Sequence, residues 1–134
     1  MRNFIGNTAK VVTAIVPKLS AAETGVTIDI KGFDSAILHC NVGAVNAGAL
    51  TSCVFTIQEG SAVAGGDKAP VAAAILPTST VTLTTVGTDG QLKLDLRGVK
   101  RYVTITSVAT VNGGATVMQG ATLILGEAAV EPTV

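Results

Sequence analysis

Alternation with a period of two runs through most of the chain and predicts strands rather than helices. Val26, Ile28 and Ile30 alternate with Thr27, Asp29 and Lys31 until Gly32 ends the run. A second run sets Ala36, Leu38, Cys40 and Val42 on one face and Ser35, Ile37, His39 and Asn41 on the other. A third sets Thr51, Cys53, Phe55 and Ile57 opposite Ser52, Val54, Thr56 and Gln58. With Gly43 to Ala49 as a connecting loop, a symmetric antiparallel register places Leu38 opposite Phe55, Ala36 opposite Ile57 and Cys40 opposite Cys53. The rest of the chain is expected to pack against this stretch, Gly25 to Glu59.

Two further hairpins are expected. The first joins Thr80–Val86 to Gln91–Leu96 through a Gly87-Thr88-Asp89-Gly90 turn, which sets Leu83 across from Leu94 and Val81 across from Leu96. The second joins Val99–Val111 to Ala115–Leu125 through Asn112-Gly113-Gly114, with Val103 and Ile105 facing Leu123 and Ala121. Gly120, in mid-strand, marks a bulge or a close backbone approach. Between these units GSAVAGGDKAP reads as a surface loop, and Val71 to Leu76 as a short buried strand or a single helical turn. About seven or eight short strands with frequent turn signals predict an all-β, antiparallel β-sandwich or jelly-roll-like domain. It is expected to span residues 21–126, after an N-terminal arm over 1–20 and before a C-terminal tail over 127–134.

Composition narrows the function more than any motif does. Nine basic and nine acidic residues cancel, so the electrostatic footprint of a nucleic-acid binder is missing. Three Phe, one Tyr and no Trp leave little with which to stack bases or sugar rings. Mean hydropathy is high, yet no apolar run reaches the eighteen or so residues of a membrane helix. The aromatic content of 3% does not supply the girdles of a membrane barrel. No membrane partner is expected, and the excess apolarity is assigned to subunit or partner interfaces. The N-terminus does not read as a secretory signal, because Lys10 interrupts its apolar region and Val11 to Val16 is short before Pro17 and Lys18.

Candidate chemistry is sparse. Cys40 and Cys53, placed opposite each other by the hairpin register, have Cα atoms roughly 4.5 to 5.5 Å apart, which also permits a disulfide. A chain of 134 residues that is 48% hydrophobic fills a core without a covalent staple, which favours two buried thiols acting as small apolar side chains. His39, the only histidine, adjoins Cys40 in one strand and so points to the other face, which argues against a Cys/His nucleophile. Asp89 and Asp95 lack the dense oxygen ligands of a calcium loop, and Gly65-Gly66-Asp67-Lys68 lacks the spacing of a phosphate loop. Arg97, Lys100 and Arg101 form a small basic cluster that fits an acidic partner or a solvated strand end. No catalytic residue, cofactor site or metal site is assigned, and a non-enzymatic role is expected.

Several short segments carry a resemblance: Ala22-Glu23-Thr24-Gly25, Ile28-Asp29-Ile30-Lys31-Gly32-Phe33-Asp34-Ser35-Ala36, Phe55-Thr56-Ile57-Gln58-Glu59, Lys100-Arg101-Tyr102-Val103-Thr104-Ile105 and Leu125-Gly126. In this order the chain resembles the small head decoration, or cement, proteins of tailed bacteriophages over most of its length after residue 20. The loop after Glu59 departs from that family in lacking acidic and aromatic residues. The resemblance implies a jelly-roll-like domain, self-associated and often trimeric with a dimer as the alternative, on the outer surface of the capsid, where it strengthens contacts between subunits of the major capsid protein. Assembly is then expected in the host cytoplasm. Phe4, Ile5, Val11 and Val12 are the apolar anchors expected to tie the N-terminal arm to neighbouring subunits. A tail or baseplate component and a free-standing binding module are the alternative classes.

Overall fold

A computed structural model describes residues 9–113 and 116–128. Among them nine strands and no helix are found: β1 (Lys10–Ser20), β2 (Ala22–Asp29), β3 (Phe33–Val45), β4 (Ala49–Gly60), β5 (Ala69–Pro70), β6 (Thr80–Leu83), β7 (Thr88–Asp95), β8 (Tyr102–Asn112) and β9 (Val117–Ala128). All pairings are antiparallel. The first sheet has the order β1-β9-β3-β7; the second runs β2-β8-β4, with β5 and β6 both paired along the far side of β4.

This order follows from one long doubled ribbon. β1 pairs β9, β2 pairs β8, β3 pairs β7 and β4 pairs β6, as if the chain were folded back on itself at the β4–β6 connection. Successive rungs of the ribbon fall in alternate sheets, and the β9·β3 and β8·β4 pairings close it into a sandwich. That is a jelly roll, and it agrees with the all-β sandwich expected from the strand pattern.

The inward faces are those the alternation predicts. Ala36, Leu38, Cys40 and Val42 on β3, Cys53, Phe55 and Ile57 on β4, Val103 and Ile105 on β8, and Val117, Ala121, Leu123 and Leu125 on β9 are all buried. The three expected hairpins, however, are not hairpins. Leu38 pairs with Leu92 and Leu123, not Phe55; Phe55 pairs with Val81 and Ser107. Val103 pairs with Ile28 and Glu59, and Leu123 with Val12 and Leu38. The two strands of each expected hairpin sit in opposite sheets and meet through the core, an arrangement that demands the same alternation as edge-to-edge pairing. Thr88, Asp89 and Gly90 lie inside β7, opposite Val42, Asn41 and Cys40, and the turn falls earlier, at Gly87 with φ 71°.

Bulges shape the flank where β1 and β2 meet. Register shifts on both sides of Ile15 turn Ala14 and Ile15 inward together, and a shift between Thr24 and Thr27 leaves Val26 exposed. There the backbones touch: a Cβ on Gly25 would lie 2.2 Å from the Ala14 carbonyl oxygen. From Lys10 onward the segment expected as an arm is therefore an edge strand of the first sheet, because its apolar residues Val12, Ala14 and Ile15 complete the core. β9 likewise runs into the expected tail, as far as Ala128.

The β4–β6 connection caps one end of the ribbon. The Asp67 carboxylate accepts the Ser61 and Ala62 N–H groups at 2.9 and 3.0 Å, which holds it below its usual pKa. Val71 and Leu76 are buried, and Leu76 N–H donates to the Ala72 carbonyl at 3.0 Å, so this piece is a helical turn rather than a strand.

Candidate interaction surface

A polar cluster around Gln119 links the two sheets through the interior. Gln119 faces inward from β9 and is fully buried. Its Nε2 donates to the Ser20 carbonyl at 3.0 Å and to Ser20 Oγ at 2.9 Å, and its Oε1 accepts the Cys53 thiol at 3.2 Å. Cys40 and Cys53 are free thiols on opposite sheets. Burial pushes Cys40 up to about 12, with the nearby Cys53 adding to the shift, and pushes Cys53 up to about 11. Neither is a thiolate at neutral pH. His39 points outward from β3, with Nε2 2.9 Å from Asp89 Oδ2, so His39 and Cys40 do not assemble into a catalytic pair.

Several of the charged residues are spent on local pairs. Arg101 holds Asp29 in a two-bond fork at 3.1 and 2.8 Å and lies 5.1 Å from the centre of the Tyr102 ring. Arg97 holds Asp95 in the same way, through Nε at 2.9 Å and Nη2 at 2.7 Å. These forks hold Asp29 and Asp95 down to about 2. The nearly buried Glu59 accepts the Lys100 N–H at 2.8 Å. The basic cluster, which fits an acidic partner or a solvated strand end, thus has acidic neighbours of its own. Among the described residues no three His, Cys, Asp or Glu side chains gather where they could hold a metal ion. An open groove of about 740 Å³ runs along β3 and β7, lined by Ser35, Ile37 and Lys93 and flanked by the Asp95–Arg97 pair.

The strand edges are blunted. β5 and β6 are two and four residues long, and β5 ends at Pro70. β1 carries Pro17 within its second register shift, β2 carries its own bulge and Glu23, and β7 carries Asp89, Lys93 and Asp95. Short strands, prolines, bulges and charges all oppose the addition of a further strand. Association is left to the faces.

Both outer faces are regular and poor in charge. On the second sheet Thr24, Thr106, Thr56 and Thr80 form one row across four strands, beside a row of Ala22, Val108, Val54 and Thr82. On the first sheet Val11, Ile124 and Ile37 form a row that ends at Lys93 on β7. A parallel row pairs Leu19 with Met118, whose side chain lies against the position a Cβ would take on Gly43, 3.1 Å away. Between the two rows lie Thr13, Thr122, His39 and Gln91, then Gly120, Asn41 and Asp89.

Of the four expected anchors, Val11 and Val12 fall on opposite faces, because neighbours in a strand must. Val11 is 67% exposed on the first sheet's outer face, whereas Val12 packs against the core. Phe4 and Ile5 lie outside the described residues. The expected set omitted Leu19, Met118 and Ile124; their signal is an apolar residue at a position whose strand neighbours point inward. Gln119 was also missed, being polar at an inward position.

No protein-family model matches the chain, and no curated protein matches it. Solved structures do. The SPBc2 prophage-derived protein YomS superposes with a TM-score of 0.57 and 14% identity, over 89% of this chain and 93% of that one. A Bacillus endospore appendage protein, from a family of disulfide-linked pili, superposes with a TM-score of 0.52 and 15% identity, over 90% of this chain and 89% of that one. A chain of the Triatoma virus empty capsid matches at a TM-score of 0.48 and 9% identity, over 99% of this chain and 98% of that one. At these identities the first two establish a shared fold.

Proposed function

We propose that this chain is a non-enzymatic structural component of a phage particle, a decoration protein that binds the outside of the head and strengthens contacts between capsid subunits. The observation that carries this reading is the pair of broad, regular sheet faces, poor in charge away from β7, on a domain whose edges are blunted. Such a domain suits rigid face-on docking, in which specificity comes from shape and buried apolar area rather than from a reacting group. The likeness to a prophage-derived protein, and to an endospore appendage protein from a family of disulfide-linked pili, supports a structural role on the same fold. The motif resemblance to cement proteins is what supports the outside of the head as its place.

Quantitative mass spectrometry of purified particles tests the reading. The account expects the chain at a fixed ratio to the major capsid protein in tail-less heads as well as in whole phage. Recovery with isolated tails alone would transfer the chain to the tail or baseplate, and its absence from particles would remove a virion role.

A further inference from the structure

We infer that the outer face of the first sheet is a self-association surface, and that its occupant is a second copy of this chain packed face to face about a two-fold axis. The register carries the inference. The two apolar rows, Val11-Ile124-Ile37 and Leu19-Met118, lie on either side of two central rows, one through Thr122 and His39 and one through Gly120 and Asn41. A two-fold axis that runs across the strands, between the central rows, exchanges the outer rows. Val11 then meets the second copy's Leu19, and Ile124 meets the second copy's Met118. This is the reciprocity an isologous contact requires.

The charges agree with that axis. Lys93 falls opposite the turn at Gly87 of the second copy, His39 opposite its Asn41, and Gln91 opposite its Asp89. No cation meets a cation and no carboxylate meets a carboxylate. The other in-plane axis, along the strands, would lay charged β7 over apolar β1 and set Lys93 on Val11. Size fits as well. Four strands about 4.8 Å apart and roughly nine residues long at about 3.3 Å each give about 570 Å² per copy. The pair then buries about 1,100 Å² in projection, at the lower end of specific interfaces, which points to a reversible dimer rather than an obligate one.

The test uses the purified full chain without any capsid, so its failure leaves the decoration reading standing and the reverse also holds. Sedimentation equilibrium across about 1 to 300 μM is expected to report a dimer of the 13.4 kDa chain at the upper concentrations. Ile124→Lys is expected to raise the dimer dissociation constant by about 100-fold or more, since it would bury an unpaired charge against the second copy's Met118. Val108→Lys, on the outer face of the second sheet, is expected to leave it unchanged. Met118→Lys, at a position already 37% exposed, gives the same reading should Ile124→Lys fold poorly. A monomer throughout the range, a trimer, or a dimer that survives both first-sheet substitutions would overturn the inference.

Discussion

Cys53 on β4 donates its thiol to Gln119 Oε1 on β9 across 3.2 Å, a direct polar contact between the two sheets in a largely apolar interior. Gln119 is fully buried and its amide is satisfied on both sides, by Ser20 and by Cys53. A buried amide with good partners costs little, and removing it leaves a cavity together with stranded partners. Gln119→Ala is therefore expected to lower the unfolding free energy by about 2 to 4 kcal/mol in urea denaturation. A change under about 0.5 kcal/mol would show that the cluster does not brace the sandwich.

The thiols carry a pH prediction. Burial raises both folded pKa values above the unfolded one, so the folded state keeps its protons over a range where the unfolded chain has lost them. Their contribution is fully present below about pH 9 and is lost as the pH rises toward 11 to 12. Alkaline titration of stability should show this loss in the wild type and less of it in Cys40→Ala/Cys53→Ala. At pH 8 a thiol reagent should label the native protein only as fast as it opens, and the urea-unfolded chain at once. Labelling of the native protein at the unfolded rate would contradict the buried placement.

Asp29 works in the opposite direction. Its pair with Arg101 depresses the folded pKa to about 2, so the pair's contribution is present above the ordinary carboxylate value and is lost as the pH falls through about 2. The Asp29 side chain is 41% exposed, and solvent screening keeps the effect of Asp29→Asn at pH 7 below about 1 kcal/mol. That difference should shrink in 1 M salt and vanish near pH 2. A difference independent of pH would place the effect in packing rather than charge.

Gly25 tests the bulged corner. A Cβ there would meet the Ala14 carbonyl oxygen at 2.2 Å and the Ile105 carbonyl oxygen at 2.9 Å, both rigid backbone. Gly25→Ala is expected to cost at least about 2 kcal/mol, because β1 must withdraw from β2. Gly66→Ala, with nothing within 4 Å of the added carbon, serves as the neutral control. Equal thermal midpoints for the two variants would show that the β1–β2 contact is looser than described.

Which residues turn inward was legible in the sequence, because alternation is a property of the strand itself. Ala36, Leu38 and Cys40 are inward whatever lies beside them. Which strands pair was not legible. Cys40 and Cys53 are both core residues, as expected, but on opposite sheets, since in a sandwich the face of one strand can be covered by a neighbour across the core instead of along the sheet. Turn chemistry misled at Asp89-Gly90, where the glycine serves another end: it keeps β7 clear of Val81 and Leu83, whose side chains lie within 3 Å of where its Cβ would be. The candidate surface was half legible. Val11 was singled out as an anchor, whereas Ile124 and Met118 were not, since an apolar residue facing outward looks like noise until the register lines it up with others.

The central claim, that the chain decorates a capsid, is met most directly by co-sedimenting the purified protein with shells of its own phage that lack it. The account predicts saturable binding at one fixed ratio to the major capsid protein and a rise in the temperature at which the shells disrupt. Folded protein that stays in the supernatant at all concentrations, or binds without a saturating ratio, would contradict it.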